Sequence, residues 1–194
     1  MPQQIGVLAL QGDFEAHRKA LERAGAQARE IRRQSDLDQI DALIIPGGES
    51  TTMLKLLEAE NLLAPLRAFG ETKPVFGTCA GAILLAKEVL HPRQPSLGLM
   101  DLTIERNAYG RQIDSRIAKI DLEGKPAEAV FIRAPVIRRT GPVTKVLATY
   151  NGDPVLVEEG RHLAATFHPE LTEELDIHRY FLSKIEREQE AGRR

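Results

Sequence analysis

The sequence of 194 residues lacks several features that mark specialised classes of protein. Tryptophan is absent and aromatic residues make up only 5%, whereas hydrophobic residues make up 42% and charged residues 28%, as in an ordinary globular protein. The formal net charge is -2, so there is no basic excess of the kind that binding to nucleic acid phosphates requires. We therefore expect no nucleic acid partner, and we expect residues 1–194 to form a single domain.

Cysteine occurs once, at Cys79, which excludes an intramolecular disulfide and favours a reducing, cytoplasmic setting. The five histidines are scattered, so no cluster of metal ligands is evident and we expect neither a metal nor an organic cofactor. No apolar run approaches the roughly 20 residues that cross a bilayer. The first residues show no basic segment followed by an apolar one, so we expect neither a membrane span nor a signal peptide.

Short apolar segments alternate with helical patterns in the first half of the chain. Buried strands are predicted at residues 5–10, 42–45 and 74–77. Helices are predicted from Asp13, as a cap, to Ala24, from Ser50, as a cap, to about Glu58, and at residues 66–71 and 80–89. Strands that alternate with helices at this spacing indicate a parallel sheet covered by helices on both faces.

The second half is richer in predicted strands. They fall at residues 99–104, 115–121, 129–132, 143–150, 154–158 and 163–167, and the pair Asn151-Gly152 predicts a tight turn between two of them. A final helix is predicted at residues 173–188, with an apolar face of Leu175, Ile177, Phe181, Leu182 and Ile185. The fold class that follows is α/β: a three-layer α/β/α sandwich with a mostly parallel central sheet and an antiparallel extension.

The only cysteine lies between a predicted buried strand and a predicted buried helix. The segment Gly77-Thr78-Cys79-Ala80-Gly81 has the layout of a nucleophile elbow, with Cys in place of Ser. A sharp strand-to-helix turn crowds the neighbouring backbone, so glycine is needed on both sides. Cys79 is therefore a candidate nucleophile, and the alternative is a buried cysteine that serves only packing.

A cysteine nucleophile needs a general base, which in turn needs an orienting group. His168 directly follows the predicted strand at 163–167, and Glu170, two residues later, can hold the imidazole as the carboxylate of a catalytic triad does. The alternative is a strand-end histidine bonded to backbone. The other histidines have less suitable settings, since His162 is expected to be solvated and the rest lie in a charged helix, a loop and the terminal helix (His17, His91, His178).

A glycine-rich loop, Pro46-Gly47-Gly48-Glu49-Ser50, follows another predicted strand. Backbone free of side chains lets N–H groups approach a ligand closely, and such donors stabilise the oxyanion of amide hydrolysis. We expect one donor from this loop and one from the N–H of Ala80. The alternative is a plain strand-to-helix turn.

These motifs together resemble the triad glutamine amidotransferases, the class I glutaminases. Longer segments narrow the resemblance to the family of glutaminase subunits of pyridoxal 5′-phosphate synthases, and it spans nearly the whole chain. The segments are LQG at 10–12, PGGESTT at 46–52, FGTCAG at 76–81, ERN at 105–107, FIRAP at 131–135 and FHPELT at 167–172. One departure is Ala9, where the family pattern has glycine.

The resemblance implies a flavodoxin-like class I glutaminase fold and hydrolysis of L-glutamine through a thioester on cysteine. The ammonia would pass to a separate pyridoxal 5′-phosphate synthase subunit in a large hetero-oligomer. Glutamine would be contacted by Gly47, Gly48, Glu49, Arg106, Ile132 and Arg133. Either arginine can grip the α-carboxylate with two hydrogen bonds. Two other interpretations are a thiol peptidase of a related elbow superfamily and a non-catalytic sensor with a reactive cysteine.

Overall fold

The structure, a computed structural model, describes residues 1–108 and 115–193. The elements of its first half are β1 (Gln4–Leu8), α1 (Phe14–Arg23), β2 (Gln27–Ile31), a 3-10 helix (Gln34–Gln39), β3 (Ala42–Ile45), α2 (Ser50–Ala59), α3 (Leu63–Thr72), β4 (Val75–Thr78), α4 (Ala80–Leu85) and β5 (Ala86–Leu90). Those that follow are β6 (Met100–Glu105), β7 (Ser115–Leu122), β8 (Lys125–Ile132), β9 (Val136–Thr140), β10 (Lys145–Tyr150), β11 (Asp153–Glu159), β12 (His162–Ala165), a 3-10 helix (Pro169–Leu171) and α5 (Asp176–Ala191).

Seven strands form a central sheet in the order β10-β11-β12-β4-β3-β1-β2. The strands from β12 to β2 are mutually parallel, and β11 and β10 extend the sheet in antiparallel fashion at one edge. A sheet of β5, β6 and β9 and a hairpin of β7 and β8 accompany it. The predicted α/β fold, with a mostly parallel sheet and an antiparallel extension, is confirmed.

Buried side chains of the central strands alternate between the two faces of the sheet, as the pleat of a strand requires. In β3, Leu43 and Ile45 join a core cluster that includes side chains of α2 and α3. Ala42 and Ile44 join a second cluster that includes side chains of α1 and α5. The two clusters place helices on both sides of the sheet and account for the three layers.

The predicted helix at 80–89 is wrong in its second half. Helix α4 ends at Leu85, and Ala86 already has an extended backbone because residues 86–90 form β5. This strand pairs in parallel with β6, with Ala86 opposite Met100. Pairing with a strand distant in sequence overrides the helical pattern, as tertiary context commonly does.

Strands β2 and β9 were not predicted. β2 is an edge strand with the sequence QAREI, so it lacks the apolar run that indicates a buried strand. The predicted turn at Asn151-Gly152 is confirmed, because both residues have positive φ and connect β10 to β11. The predicted apolar face of the last helix is confirmed by burial of all five side chains.

The predicted caps differ from the observed ones. Asp13 lies at the N-cap of α1, but its side chain makes no capping hydrogen bond. Helix α2 is capped by Glu49 and not by Ser50, since the Glu49 carboxylate accepts from the N–H groups of Thr51 and Thr52. In the described part of the chain, none of the helices combines the length and apolar character needed to cross a membrane.

Candidate active site

The loops that follow β1, β3, β4 and β12 meet at the carboxyl edge of the sheet, where open α/β folds bind their ligands. They surround a cavity of about 430 Å³. Its lining includes most of the side chains and backbone groups singled out in the sequence: Gly48, Glu49, Cys79, Ala80, Arg106, Ile132, Arg133 and His168. Gly47 and Glu170 are not part of the lining.

Cys79 occupies the sharp turn between β4 and α4. Its φ of 50° lies in the left-handed region, which a side-chain-bearing residue adopts only at a cost. The flanking glycines are needed for space, because a Cβ on Gly77 would overlap the carbonyl of Gly81, and one on Gly81 would overlap the carbonyl of Ile45. The thiol is free and lines the cavity, so the elbow presents it to a ligand.

His168 follows β12 and borders the same cavity as Cys79, and a Cβ on Gly47 would lie within 3.4 Å of both side chains. Its backbone N–H donates to the carbonyl of Val130, 2.8 Å away. Its Nδ1 lies 2.7 Å from Oε1 of Glu170, in a buried hydrogen bond. The fixed Nδ1 contact leaves Nε2 free to exchange a proton at the cavity.

Burial and the bonded partners act in opposite directions on the charges of His168 and Glu170. Burial by itself lowers the pKa of His168, but hydrogen bonds and charges of Cys79 and Glu170 raise it to about 10. Burial raises the pKa of Glu170, against the lowering effect of the His168 hydrogen bond. His168 is thus held as the imidazolium, ready to donate a proton, and each hydrogen bond donor that reaches Glu170 favours its charged form.

The loop of Gly47 and Gly48 packs tightly against its neighbours. A Cβ on Gly47 would overlap the His168 ring, and one on Gly48 would overlap the side chain of Gln11. The carbonyl of Gly47 accepts a hydrogen bond of 3.2 Å from the N–H of Asp13. Ala80 is the first residue of α4, so its N–H has no acceptor within the helix. The predicted oxyanion donors therefore come from two elements that border the cavity, the loop after β3 and the start of α4.

Arg106 is held firmly at the rim of the cavity. Its guanidinium donates to Gln94 Oε1 at 2.7 Å and to Thr51 Oγ1 at 2.9 Å, and it lies 3.4 Å from Oε1 of Glu49. Its side chain is only 12% exposed. Arg133 also lines the cavity but is exposed and has a φ of 43°. Both arginines can reach a ligand, and only Arg106 is preorganised.

Two features of the site were missed in the sequence. His17 and His178, which had been placed in helices without a role, are fully buried behind Glu170, with His17 Nδ1 2.9 Å from His178 Nε2. His17 shares one face of α1 with the buried residues Ala20 and Leu21, and this spacing could have revealed it. Asp13 also approaches His168, at 3.5 Å.

Asp13, His168 and Glu170 bring three potential metal-ligand atoms within 4.8 Å of one another. No such cluster was apparent from the scattered histidines of the sequence. The distance of 2.7 Å between His168 and Glu170 is that of a hydrogen bond, and the same Nδ1 cannot bind a metal ion while it donates to the carboxylate.

A second, larger cavity of about 570 Å³ lies at the opposite, amino end of the sheet. Its lining includes His162, which was expected to be solvated. That expectation is wrong, since His162 is only 7% exposed and its Nδ1 accepts from the N–H of Val75 at 3.2 Å. Burial, followed by the charge of Arg161, lowers the pKa of His162 to about 4.

A cysteine at an elbow, a histidine beside it and a carboxylate behind the histidine are the parts of a thiol-dependent amide hydrolase on an α/β sheet. Comparison with known proteins narrows this class. The model of the SNO glutamine amidotransferase family matches residues 7–187. The chain therefore belongs to the SNO glutamine amidotransferase family.

Individual relatives agree with this assignment. The pyridoxal 5′-phosphate synthase subunit PdxT of Solibacter usitatus is 60% identical over 190 residues, covering 94% of this chain and 99% of that protein. A crystal structure of a glutamine amidotransferase superposes with a TM-score of 0.89 at 49% identity, covering 93% of this chain and 98% of the other. The structure of PurLQS from Thermotoga maritima shares the fold, with a TM-score of 0.64 at 16% identity and 97% coverage of both chains.

Proposed function

We propose that this chain hydrolyses L-glutamine to L-glutamate and ammonia, and that the ammonia serves the synthesis of pyridoxal 5′-phosphate. The observation that carries the proposal is that Cys79 and His168 border one cavity, while Glu170 is hydrogen-bonded to His168 behind it. Membership of a glutamine amidotransferase family supports the substrate, and the high identity to PdxT supports the destination of the ammonia. The family match over residues 7–187 also supports one glutaminase domain over residues 1–194.

The first half of the reaction transfers the glutamyl group to the enzyme. The thiolate of Cys79 attacks the amide carbon of glutamine, and the carbon–oxygen double bond opens to an oxyanion. The N–H of Ala80 and an N–H of the Gly47-Gly48 loop stabilise this charge, each contributing a factor of about 100 to 1,000 in rate. His168, as the imidazolium, donates its proton to the departing ammonia while the carbon–nitrogen bond breaks, and a thioester remains.

The second half restores the enzyme. His168, now neutral, removes a proton from water as the water oxygen attacks the thioester carbon. The carbon–sulfur bond breaks, glutamate leaves, and Cys79 and His168 return to their starting charges. Throughout the cycle, Glu170 keeps the ring aligned and stabilises its charged form.

The α-carboxylate of glutamine is assigned to Arg106, because its guanidinium is already held in place by Gln94 and Thr51 and loses little freedom on binding. The remaining substrate contacts are proposed for Gly47, Gly48, Glu49, Ile132 and Arg133.

Replacement of Arg106 by Lys should raise the KM for glutamine about tenfold, since a lysine cannot bind a carboxylate with two parallel hydrogen bonds. The matched variant Arg133→Lys should change KM less, and the reverse order would reassign the carboxylate.

The assignment of the nucleophile is tested with Cys79→Ala. Glutamate release should fall by at least about 10,000-fold, as in other enzymes that lose their nucleophile, while the circular dichroism spectrum and Tm stay close to those of the parent. The assay includes the synthase subunit, so that the parent and the variant are compared under the same activation. Undiminished turnover would dismiss Cys79 as the nucleophile.

The second protein of the system is a synthase subunit, and we propose that the two form a large hetero-oligomer in the cytoplasm. Free ammonia would be wasted by a glutaminase acting alone, so docking of the synthase subunit is expected to control glutaminase activity.

The proposed contact surface and gate are the Gln11-Gly12 and Pro46-Gly47-Gly48 loops. The Gly47 carbonyl is bonded to Asp13 N–H, so any turn of that peptide on docking breaks this bond. Equal glutaminase activity with and without the synthase subunit would discard the gate.

A further inference from the structure

A chain of buried polar groups continues behind Glu170, beyond the residues that act on glutamine. Oε2 of Glu170 lies 3.3 Å from Nε2 of His17, and both side chains are fully buried. The same nitrogen is 3.0 Å from Oγ1 of Thr78, and Nδ1 of His17 is 2.9 Å from Nε2 of His178. The path from the thiol thus runs through His168, Glu170 and His17 to His178, which belongs to α5.

The positions of the protons along this path can be deduced. No hydrogen bond of the described residues reaches Oε2 of Glu170 or Nδ1 of His178. If Nε2 of His17 carries the proton, it points an N–H at the space between the Thr78 hydroxyl and Oε2. Nδ1 of His17 then accepts from Nε2–H of His178, and the unpaired Nδ1 of His178 is a bare nitrogen.

The opposite pair of tautomers is less favourable, both where His17 meets Glu170 and at His178. A proton on Nδ1 of His17 would let the lone pair of Nε2 accept from the Thr78 hydroxyl, but it would also leave that lone pair 3.3 Å from Oε2 of Glu170, where two acceptors repel each other. His178 would have to accept at Nε2 and would keep an N–H at Nδ1, buried without an acceptor. Because a buried donor without a partner is costly, the first arrangement is favoured.

We propose that His17 is a positioning residue of the glutaminase reaction, which holds the carboxylate of Glu170 through its Nε2–H in the tautomer that His178 selects. This inference rests on the proposed function. The role of His17 is to place the N–H end of its ring 3.3 Å from the second oxygen of Glu170, where the N–H dipole favours the charged carboxylate and the first oxygen stays aligned with Nδ1 of His168. His17 itself remains neutral, because burial and the nearby His178 and His168 lower its pKa.

The charged and titratable groups that face Glu170 are few. His168 contacts it from its own loop, His17 from α1, and Asp13 from the residue before α1, where its charge raises the pKa of Glu170 further. Cys79 acts on it through His168, and His178 acts through His17. Among these groups, His17 is the neutral donor, so its loss should raise the pKa of Glu170 and protonate the carboxylate at a higher pH.

The experiment compares His17→Leu, His17→Gln and His178→Leu with the parent, each assayed with the synthase subunit. In His17→Leu, kcat should fall about 10- to 100-fold, as is usual when the partner of a functional side chain is removed. KM should change less than twofold. The acid limb of kcat/KM should move to higher pH by about one unit, which corresponds to a tenfold loss of preference for the charged carboxylate. His178→Leu, which frees the tautomer, should produce the same shift to a smaller extent.

The glutamine side chain can place an N–H near the position of Nε2, so His17→Gln should return the acid limb to within about 0.3 units of the parent value. His162→Gln is the matched control: it removes a buried neutral histidine at the far end of the sheet and should leave kcat and the pH profile unchanged. In addition, 15N NMR of histidine-labelled protein should report His17 as the Nε2–H tautomer, a readout independent of turnover.

The outcomes separate the two proposals. Parent protein without glutaminase activity overturns the proposed function, whereas the tautomer of His17 is still decided by NMR. An active parent, with kcat and acid limb unchanged in His17→Leu, overturns the positioning role alone. If His17→Leu does not fold, a parent-like acid limb in His178→Leu together with an Nδ1–H tautomer of His17 overturns it equally.

Discussion

The two ends of strand β12 each carry a buried histidine beside a cavity, and the two sites behave in opposite ways. At the amino end, His162 borders the larger cavity, of about 570 Å³, and its pKa is lowered to about 4. At the carboxyl end, His168 borders the cavity of about 430 Å³, and its pKa is raised to about 10. The two residues differ little in exposure, at 7% and 4%.

The difference lies in the partners. His162 accepts a hydrogen bond from a backbone N–H, so its ring serves as a neutral structural acceptor. His168 is bonded to a buried carboxylate and lies beside a thiol, so its charged form is stabilised. The opposite pKa shifts follow from the pairing of titratable groups and not from burial, which is nearly the same at the two ends.

The largest expected effect separates the two histidines directly. His168→Gln should lower kcat for glutamine hydrolysis about 1,000-fold or more, because the proposed general acid and base is removed. His162→Gln should leave kcat within about twofold of the parent and lower only the free energy of unfolding. Steady-state kinetics and urea denaturation of both variants check this. Similar losses of kcat would contradict the distinction between the two ends.

A second prediction uses glycine instead of histidine. The Cβ of Gly47→Ala would overlap the His168 ring, and the Cβ of Gly70→Ala would overlap the side chain of Leu99 at the amino end. Gly47→Ala should lower kcat about 100-fold, because displacing a catalytic group by about 1 Å has effects of this size. Gly70→Ala should reduce Tm and leave kcat nearly unchanged. A normal kcat in folded Gly47→Ala would show that the ring tolerates displacement.

The smallest effect concerns stability at low pH. The pKa of His162 in the folded state is about 4, below its value of about 6.5 in an unfolded chain. The unfolded state therefore takes up the proton first, and the contribution of His162 is complete above pH 6.5 and lost as the pH falls towards 4. The loss is about 3 kcal/mol, at 1.36 kcal/mol per pKa unit.

Urea unfolding of the parent and His162→Gln at pH 7.5 and pH 4.5 measures this loss. The free energy of unfolding of the variant should depend less on pH than that of the parent. The buried residues His17 and His178 also have lowered pKa values, so part of the dependence remains. His91→Gln, at an exposed position, serves as the control and should retain the full dependence.

Much of the fold and of the carboxyl edge could be predicted from local patterns. The apolar run of β3, the glycines around Cys79 and the order of His168 and Glu170 each carry their information within a few residues. The helix predicted at residues 80–89 was wrong in its second half, because β5 forms through its pairing with β6, which is distant in sequence. Likewise, Glu49 caps α2 although the sequence offers Ser50 next to it.

Contacts between distant elements could not be predicted. The chain from Glu170 through His17 to His178 joins a loop and two helices separated by about 160 residues, and no local pattern encodes it. His162 was expected to be solvated because it neighbours Arg161, yet the position of its ring is decided by the backbone of β4. Tertiary packing, and not local polarity, determines which histidines are charged.

In the proposed reaction, Cys79 attacks glutamine because His168, aligned by Glu170, stands beside it. The rate at which a chloroketone analogue of glutamine labels the protein, followed by mass spectrometry of the labelled peptide, tests this directly. We predict labelling at Cys79 alone, protection by glutamine, and much slower labelling in His168→Gln but not in His162→Gln. Labelling that glutamine does not slow, or that proceeds equally in all three proteins, would contradict it.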